Sequence, residues 1–383
     1  MDVPETDSED EIPPGWEERC TTDGLVFYAF HETKTTQWTH PRTGKRKRVT
    51  GELPFGWERQ INEDGKVFFV DHENHKTTYT DPRLAFAVEE TEGPKDLRQK
   101  FDGSSTGMQI THGRDFSDQV AVITGANSGI GFESARCLAF HGCCVVFACR
   151  DLVKAEEKIA LLKRERPYTK RCDILILNAG VFGLPYTKTE DSLEMNFQVN
   201  FLAHFYMCLL MEPLIILSKD PRVIFVSAES HRFASLSISD EIADHLNPKE
   251  KDYLPIVAYN NSKLCSVLGA FELHRRFADR GLKIFVVHPG NAVYSNLCRN
   301  WWVYKVLYAI VRPFTKSLQQ AAACSVYCAI SPDVINCSGL YINNCVPCLP
   351  SPEALSPVLA NKLWVFSLDL IEQRLGKKAF FCD

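Results

Sequence analysis

Val120-Ala121-Val122-Ile123-Thr124-Gly125-Ala126-Asn127-Ser128-Gly129-Ile130-Gly131 decides the larger part of this chain. Residues 120–124 form a short apolar run suited to a buried parallel strand, and a helical pattern follows the glycines to about His141. Strand, glycine turn and helix in that order make a phosphate-binding turn. Small residues let the backbone approach a pyrophosphate, and the helix N-terminus offers N–H groups and a favourable dipole. Outward from this turn, Val145 to Cys149 reads as a second strand that ends at Arg150. Asp173 to Leu177 ends in Asn178-Ala179-Gly180, Val223 to Ser227 is another strand, and His288-Pro289-Gly290 closes a later one. Between them, Tyr259 and Lys263 stand four apart, which places the phenol and the ammonium on one helix face. A cation there favours phenolate and makes the tyrosine a usable acid and base. Residues 116–383 suffice for one doubly wound α/β domain.

The first part of the chain repeats itself. Gly15-Trp16-Glu17 recurs as Gly56-Trp57-Glu58, Asp23-Gly24 as Asp64-Gly65, His31 as His72, Thr36 as Thr77 and Pro41-Arg42 as Pro82-Arg83, always 41 residues on. Each copy carries short aromatic β-rich runs between turns, the pattern of a three-stranded meander. So small a sheet buries no full core, so its first Trp and closing Pro must pack together. Trp38 is a second Trp in the first copy, and exposing it is unfavourable unless something binds it.

The pattern Pro13-Pro14-Gly15-Trp16 … Phe27-Tyr28 … His31 … Thr36-Gln37-Trp38 … Pro41 resembles the WW domain, and it occurs twice, over 11–44 and 52–85. The resemblance implies that Trp16, Tyr28 and Pro41 form a structural face. It also implies that Phe27 and Trp38 clamp a polyproline II segment, while Ala29, His31, Lys34 and Thr36 line a pocket for the Tyr of a Pro-Pro-x-Tyr ligand. Two departures stand out: Phe30 replaces the usual Asn before His31, and Tyr79 replaces the clamp Trp in the second copy. The first copy is therefore expected to bind and the second to support it. Between the copies, Lys45, Arg46, Lys47 and Arg48 read either as a nuclear-import signal or as a solvated charged linker. Residues 86–115, polar and without periodicity from Thr91 to Gly113, read as an interdomain linker.

The spacing Thr124-Gly125-x-x-x-Gly129-x-Gly131, with Asn178-Ala179-Gly180 and Tyr259-x-x-x-Lys263, resembles the short-chain dehydrogenase/reductase family. The resemblance implies a Rossmann-like fold with nucleotide contacts from Thr124, Gly125, Ala126, Asn127, Ser128, Gly129, Ile130, Gly131, Asn178 and Lys263. Arg150, where NAD enzymes often carry an acid, favours the 2′-phosphate of NADP. Catalytic roles are implied for Tyr259, Lys263, Asn200 (the helix residue holding a proton-relay water) and Ser227. The hydride belongs to the cofactor. The substrate class implied is a small lipophilic alcohol or carbonyl compound, of retinoid or steroid type. The whole architecture resembles oxidoreductases that carry a WW pair. Those are adaptors in the cytoplasm, nucleus and mitochondrion, binding Pro-Pro-x-Tyr proteins in apoptosis, Wnt-type signalling and transcription control.

Two departures mark the large domain. Residues 151–173 leave room for one helix where the family places helix, strand and helix, so the sheet is expected to lack one strand-helix unit and to expose Val145 to Cys149 as an edge. A right-handed return from that edge would place the surviving helix on the opposite sheet face from the usual one. The second departure is Ser227-Ala228, where relatives have Ser-Ser: the substrate-binding serine falls on Ala228. Losing one such donor costs about 3 kcal/mol, or about 10²–10³ in rate. Ser227 and Ser230 are the available substitutes, although strand alternation turns Ser227 across the sheet.

Composition excludes other classes. Lys plus Arg is 43 and Asp plus Glu is 48, a net charge of −5, so no global basic field points to nucleic acid. The acidic first residues argue against a secretory leader, and the apolar run from Phe201 to Leu217 is broken by His204, Glu212 and Pro213, as in a buried helix. Fifteen cysteines without a secretory signal read as reduced thiols. Cys345-Val346-Pro347-Cys348 has no second C-x-x-C to complete a zinc site, so no metal is expected. Trp301 to Pro313 reads as a lid or core helix, with peripheral membrane contact as the alternative. His204 and His288 read as structural histidines. Two functions follow: an NADP-dependent oxidoreductase carried by WW modules, or an adaptor in which the large domain is only a scaffold.

Overall fold

The computed structural model describes residues 12–21, 23–49, 53–54, 56–62, 66–72, 74–89, 99–160, 171–237, 241–290 and 316–376. The chain divides into two compact units, Met1–Asp96 and Leu97–Asp383. The stretch Trp301 to Pro313 lies outside the described residues.

The first unit holds both repeats. Strands β1 (Trp16–Cys20), β2 (Val26–Phe30) and β3 (Thr35–Gln37) form one antiparallel sheet. After β4 (Lys47–Arg48), β5 (Trp57–Ile61), β6 (Val67–Asp71) and β7 (Lys76–Thr78) form the second. Alternation along β2 sends Val26 and Tyr28 into a small core with Val49, and Trp16, Cys20, Leu84 and Ala87 pack against it. Phe30, in place of the usual Asn, stacks on Trp16 at 5.0 Å between ring centroids, so the departure builds the structural face. The ring of buried His40 meets Tyr28 edge-on at 5.2 Å. Leu84 and Ala87 come from the end of the second repeat and the residues just after it, where β8 (Val88–Glu89) pairs antiparallel with β4. The first sheet thus borrows its cover from residues beyond the second.

The second unit is built on a seven-stranded sheet: β9 (Val120–Thr124), β10 (Cys144–Ala148), β11 (Ile174–Leu177), β12 (Arg222–Val226), β13 (Lys283–His288), β14 (Leu340–Asn343) and β15 (Val346–Pro347). The order is β10-β9-β11-β12-β13-β14-β15, parallel except for the last pair. Alternation assigns the two faces. Leu175, Leu177, Val223, Phe225, Ile284 and Val286 join a core with α4 (Met195–Phe197), α5 (Ala203–Ile215), α6 (Ile242–Leu246), α7 (Pro255–Phe277) and α9 (Pro357–Leu375). Ile174, Ile176, Ile224, Val226, Phe285 and Val287 join the other, with α1 (Gly107–Thr111), α2 (Gly129–Phe140) and α8 (Leu318–Ile330). Buried Asp173 binds the strand starts together by accepting from the Val120 amide at 2.9 Å, Arg171 Nε at 3.0 Å and the Ser218 hydroxyl at 2.7 Å.

Two expectations change. The linker through residue 115 is too long: Thr106 and Gln109 form a capping box at α1, Ile110 is buried, and Phe101 meets Tyr327 at 6.2 Å. A five-residue helix is too short to show periodicity, which is why its sequence reads as loop. Among the described residues β10 is an edge, as expected of a sheet missing one strand-helix unit. The helix after it, α3 (Leu152–Ala160), is not set on the opposite face: the Lys158 ammonium lies over the Phe132 ring of α2 at 5.2 Å.

Leu84→Ala should destabilise the first repeat by about 1–2 kcal/mol, the cost of a half-buried leucine, with the second repeat untouched. Thermal unfolding followed by resonances of Trp16 and Trp57 separates the two; equal effects on both would refute the borrowed cover.

Candidate functional site

Two sites emerge, one in each unit. On the first sheet the register sets Ala29 opposite Thr36 and Glu17, and Phe27 opposite Arg19. Phe27, Ala29, Thr36 and Trp38 therefore share the face away from Tyr28. Phe27 and Trp38 meet at 5.9 Å, nearly perpendicular, and Trp38 is 51% exposed. His31 is exposed at the end of the strand, 3.1 Å from Glu17, and Lys34 takes a left-handed turn conformation (φ 58°) beside it. The second repeat keeps the layout with Phe68 and Tyr79 at 6.4 Å. Its phenol ring offers a smaller platform than an indole.

In the second unit the strand order reverses beside β9, where open α/β sheets bind ligands. Here the glycine turn is shaped for something absent from the chain. A Cβ at Gly131 would lie 2.5 Å from Asn178 Nδ2 and 2.6 Å from the Gly125 carbonyl, so only glycine fits. A Cβ at Gly129 (φ +59°) would meet nothing within 4 Å, and Ser128 caps α2 without a side-chain hydrogen bond. The first turn of α2 thus lacks a side-chain cap and has room beside Gly129, as a pyrophosphate cradle requires. Ala126 is buried, while Asn127 and Ile130 are partly exposed beside the cradle. Arg150 is exposed at the end of β10.

Thr124 holds this region together. Its hydroxyl accepts from the amides of Asn178 (2.8 Å) and Ala179 (2.9 Å), Asn178 Nδ2 donates to the Thr124 carbonyl at 3.0 Å, and His204 Nε2 lies 3.0 Å from the hydroxyl. His204 Nδ1 is 3.2 Å from the Asn200 carbonyl. A protonated Nδ1 donating there leaves Nε2 to accept the Thr124 proton, so every partner is satisfied by a neutral ring. Burial, first, and then Lys263 push the His204 pKa down to about 3, in agreement with a structural role.

The candidate catalytic residues converge on α7. Tyr259 is buried, its ring edge-on to Phe182 at 4.7 Å, and the Lys263 ammonium lies 5.7 Å from the ring centroid. Lys263 Nζ donates to the Val226 carbonyl at 2.9 Å, and full burial lowers its pKa from 10.5 to about 8. Asn200 sits in a π turn, Gln198–Leu202. Its side chain accepts from the Val181 amide (2.8 Å) and donates to Val181 O (3.1 Å) and Ser262 Oγ (2.9 Å). Its carbonyl lies 3.2 Å from His204 Nδ1, and the Ser266 hydroxyl sits 3.3 Å from it and 3.1 Å from the Ser262 carbonyl. Through its side chain Asn200 clamps the Asn-Ala-Gly loop to α7.

The serine assignment also changes. The Ser227 hydroxyl donates to the Lys263 carbonyl at 2.9 Å and is buried, so it anchors α7 instead of facing substrate. Ala228 follows in extended conformation, pinned by His231, which contacts its carbonyl at 2.8 Å and accepts from the Ser351 amide at 3.0 Å. The Ser230 hydroxyl is buried without a hydrogen-bond partner. Phe182, the ring seated on Tyr259, gave no signal in sequence because the contact spans distant segments. Among the described residues no group of three or more His, Cys, Asp or Glu could hold a metal, and no helix is long and apolar enough to cross a membrane.

The WW domain family matches residues 12–41 and 53–82. Over 97% of this chain and 98% of its own length, a WW domain-containing oxidoreductase of Drosophila melanogaster is 50% identical; that of Homo sapiens is 50% identical over 98% and 97%. The chain belongs to the WW domain-containing oxidoreductase family. Its large domain is also 33% identical to retinol dehydrogenase 12 of Homo sapiens, over 66% of this chain and 86% of that one. A solved structure of an uncharacterized Mycobacterium paratuberculosis protein, 27% identical, superposes over 69% of this chain and 97% of that chain with a TM-score of 0.54. As a WW domain-containing oxidoreductase the chain is short: the Drosophila alignment runs over 401 positions against 383 residues here, so the relative has residues this chain lacks.

Lys263 yields a signed pH dependence. Its folded pKa is below the unfolded value, so burial of its charge destabilises the fold fully below about pH 8, and the deficit disappears as pH rises toward 10.5. Lys263→Met should therefore raise the melting temperature at pH 7, by a stability on the order of 3 kcal/mol, and the gain should vanish near pH 10. A pH-independent loss of stability would show that the ammonium is a net stabiliser.

Proposed function

We propose that this chain is an NADP(H)-dependent oxidoreductase of lipophilic alcohol or carbonyl substrates whose WW pair recruits Pro-Pro-x-Tyr proteins, and in which recruitment is stronger than turnover. The observation that carries this reading is the contrast between the two sites. The Phe27–Trp38 clamp stands complete and exposed, whereas the serine position beside Tyr259 is Ala228 and the Ser227 hydroxyl is used in the scaffold.

The cofactor reading rests on the open cradle at Gly125, Gly129 and Gly131 and on Arg150. NADP(H) bound there would supply the hydride. The first-turn amides of α2 would hold its pyrophosphate and Arg150 its 2′-phosphate, with Lys263 beside the ribose. Tyr259 would exchange the proton with the substrate oxygen, and Lys263 would favour the phenolate. A hydroxyl on residue 228 would orient the substrate oxygen, and the chain lacks it. The adaptor reading, with the large domain as a scaffold, is favoured by this same gap. Action in signalling, apoptosis and transcription control, with cytoplasmic, nuclear and mitochondrial placement and import through Lys45 to Arg48, belongs to the proposal.

Trp38→Ala should abolish binding of a Pro-Pro-x-Tyr peptide in calorimetric titration, while Tyr79→Ala leaves it within about twofold, the size of a weak indirect effect. Retained binding in Trp38→Ala would overturn the clamp. Ala228→Ser, placed on a loop already fixed by His231, should raise the turnover of a retinoid aldehyde by about 10²-fold with little change in KM. An unchanged turnover number would mean that the missing hydroxyl is not what limits the chemistry.

A further inference from the structure

The basic run between the two repeats is folded onto the first sheet. The His40 amide donates to the Lys45 carbonyl at 2.6 Å and the Val49 amide to the Gly24 carbonyl at 2.8 Å. Leu25 and Arg48 form an antiparallel bridge, and Lys47–Arg48 are paired with Val88–Glu89. This run borders the binding face: Leu25, Val26, Trp38, Arg46 and Lys47 together line a cavity of about 230 Å³.

Position along the face tells what would enter it. Ala29, Phe27 and Leu25 follow one another at two-residue spacing on β2 and its bridge, with His31 beyond Ala29. If the Tyr of a Pro-Pro-x-Tyr segment lies by Ala29 and His31, and the prolines lie on Phe27 and Trp38, then the residues before the prolines reach Leu25, Arg46 and Lys47. The charges there are unequal. Glu17 is already taken by Arg19 at 2.9 Å and His31 at 3.1 Å, and Lys47 faces Glu18 at 3.5 Å. Arg46 is exposed and makes no ion pair among the described residues.

We propose that the first WW groove selects Pro-Pro-x-Tyr segments with an acidic residue just before the proline pair, its carboxylate seated on Arg46 at the mouth of the cavity beside Trp38. The inference rests on the Pro-Pro-x-Tyr reading above. It gives the run at 45–48 a role in ligand choice, because its folded path holds Arg46 next to the clamp. A guanidinium anchored at one end of an aromatic groove adds selectivity and speeds encounter more than it adds affinity.

The test is calorimetric titration of the full chain with three peptides: Pro-Pro-x-Tyr preceded by Asp-Asp, the same core preceded by Ala-Ala, and an Asp-rich peptide without prolines. The Asp-flanked peptide should bind about three- to fivefold tighter than the Ala-flanked one at low salt, and the difference should shrink at high salt. Arg46→Ala should erase the difference and Arg46→Glu should reverse it, both leaving the Ala-flanked peptide within about twofold, as expected for an exposed side chain. Equal binding of the two flanked peptides, or a preference unchanged in both Arg46 variants, would overturn the inference while leaving the groove assignment intact. Equal binding of the proline-free acidic peptide would overturn it too, showing unspecific attraction. If no proline peptide binds, the Pro-Pro-x-Tyr reading itself falls, and this inference with it.

Discussion

The large domain depends on one buried hydroxyl. Thr124 ends the strand on which the sheet reverses, and its Oγ1 receives the amides of Asn178 and Ala179 from the neighbouring strand end. His204 approaches the same oxygen from α5 and continues to the π turn around Asn200. The glycine turn, the Asn-Ala-Gly loop and the helix carrying Asn200 are thereby fixed to one another without any contribution from the missing strand-helix unit. That is why a sheet with β10 as its edge still presents a shaped cradle. A hydrogen-bonded network of this kind is stable only when complete, and here a neutral His204 completes it.

The first unit shows the opposite economy, a fold too small to close on its own. Val26, Tyr28 and Val49 make a core of three residues, completed by Trp16 and by Leu84 and Ala87 from beyond the second sheet. The second repeat therefore serves the first even with Tyr79 in place of the clamp Trp. Its chain carries Leu84 and β8 back to the first sheet.

Much of this was legible because its physics is local. Glycine spacing, the i, i+4 pair Tyr259 and Lys263, and strand alternation each depend on neighbours in sequence, and the structure places those residues as expected. Ser227, counted among the catalytic residues, faces α7 and spends its hydroxyl on the Lys263 carbonyl. What sequence hid depends on distant contacts. Asn200 Nδ2 donates to Ser262 Oγ on α7, and Phe182 reaches Tyr259 across 77 positions of chain. Crossover handedness alone set α3 on the opposite face, whereas its Lys158 lies over the Phe132 ring of α2, a contact without a sequence signature. The basic run read as an import signal or a solvated linker, yet it is held beside Trp38 by backbone hydrogen bonds that carry no sequence signature.

The central claim is that the shortened sheet retains a working nucleotide site. Titration of the full chain with NADPH and with NADH, each followed by thermal melting, tests it most directly. On the proposed function, NADPH binds in the micromolar range, NADH binds more weakly because it carries no 2′-phosphate for Arg150, and the cofactor raises the melting temperature of the large domain. No binding of either nucleotide, or a large domain that lacks a cooperative transition, would contradict the claim and leave the two repeats as the functional part of the chain.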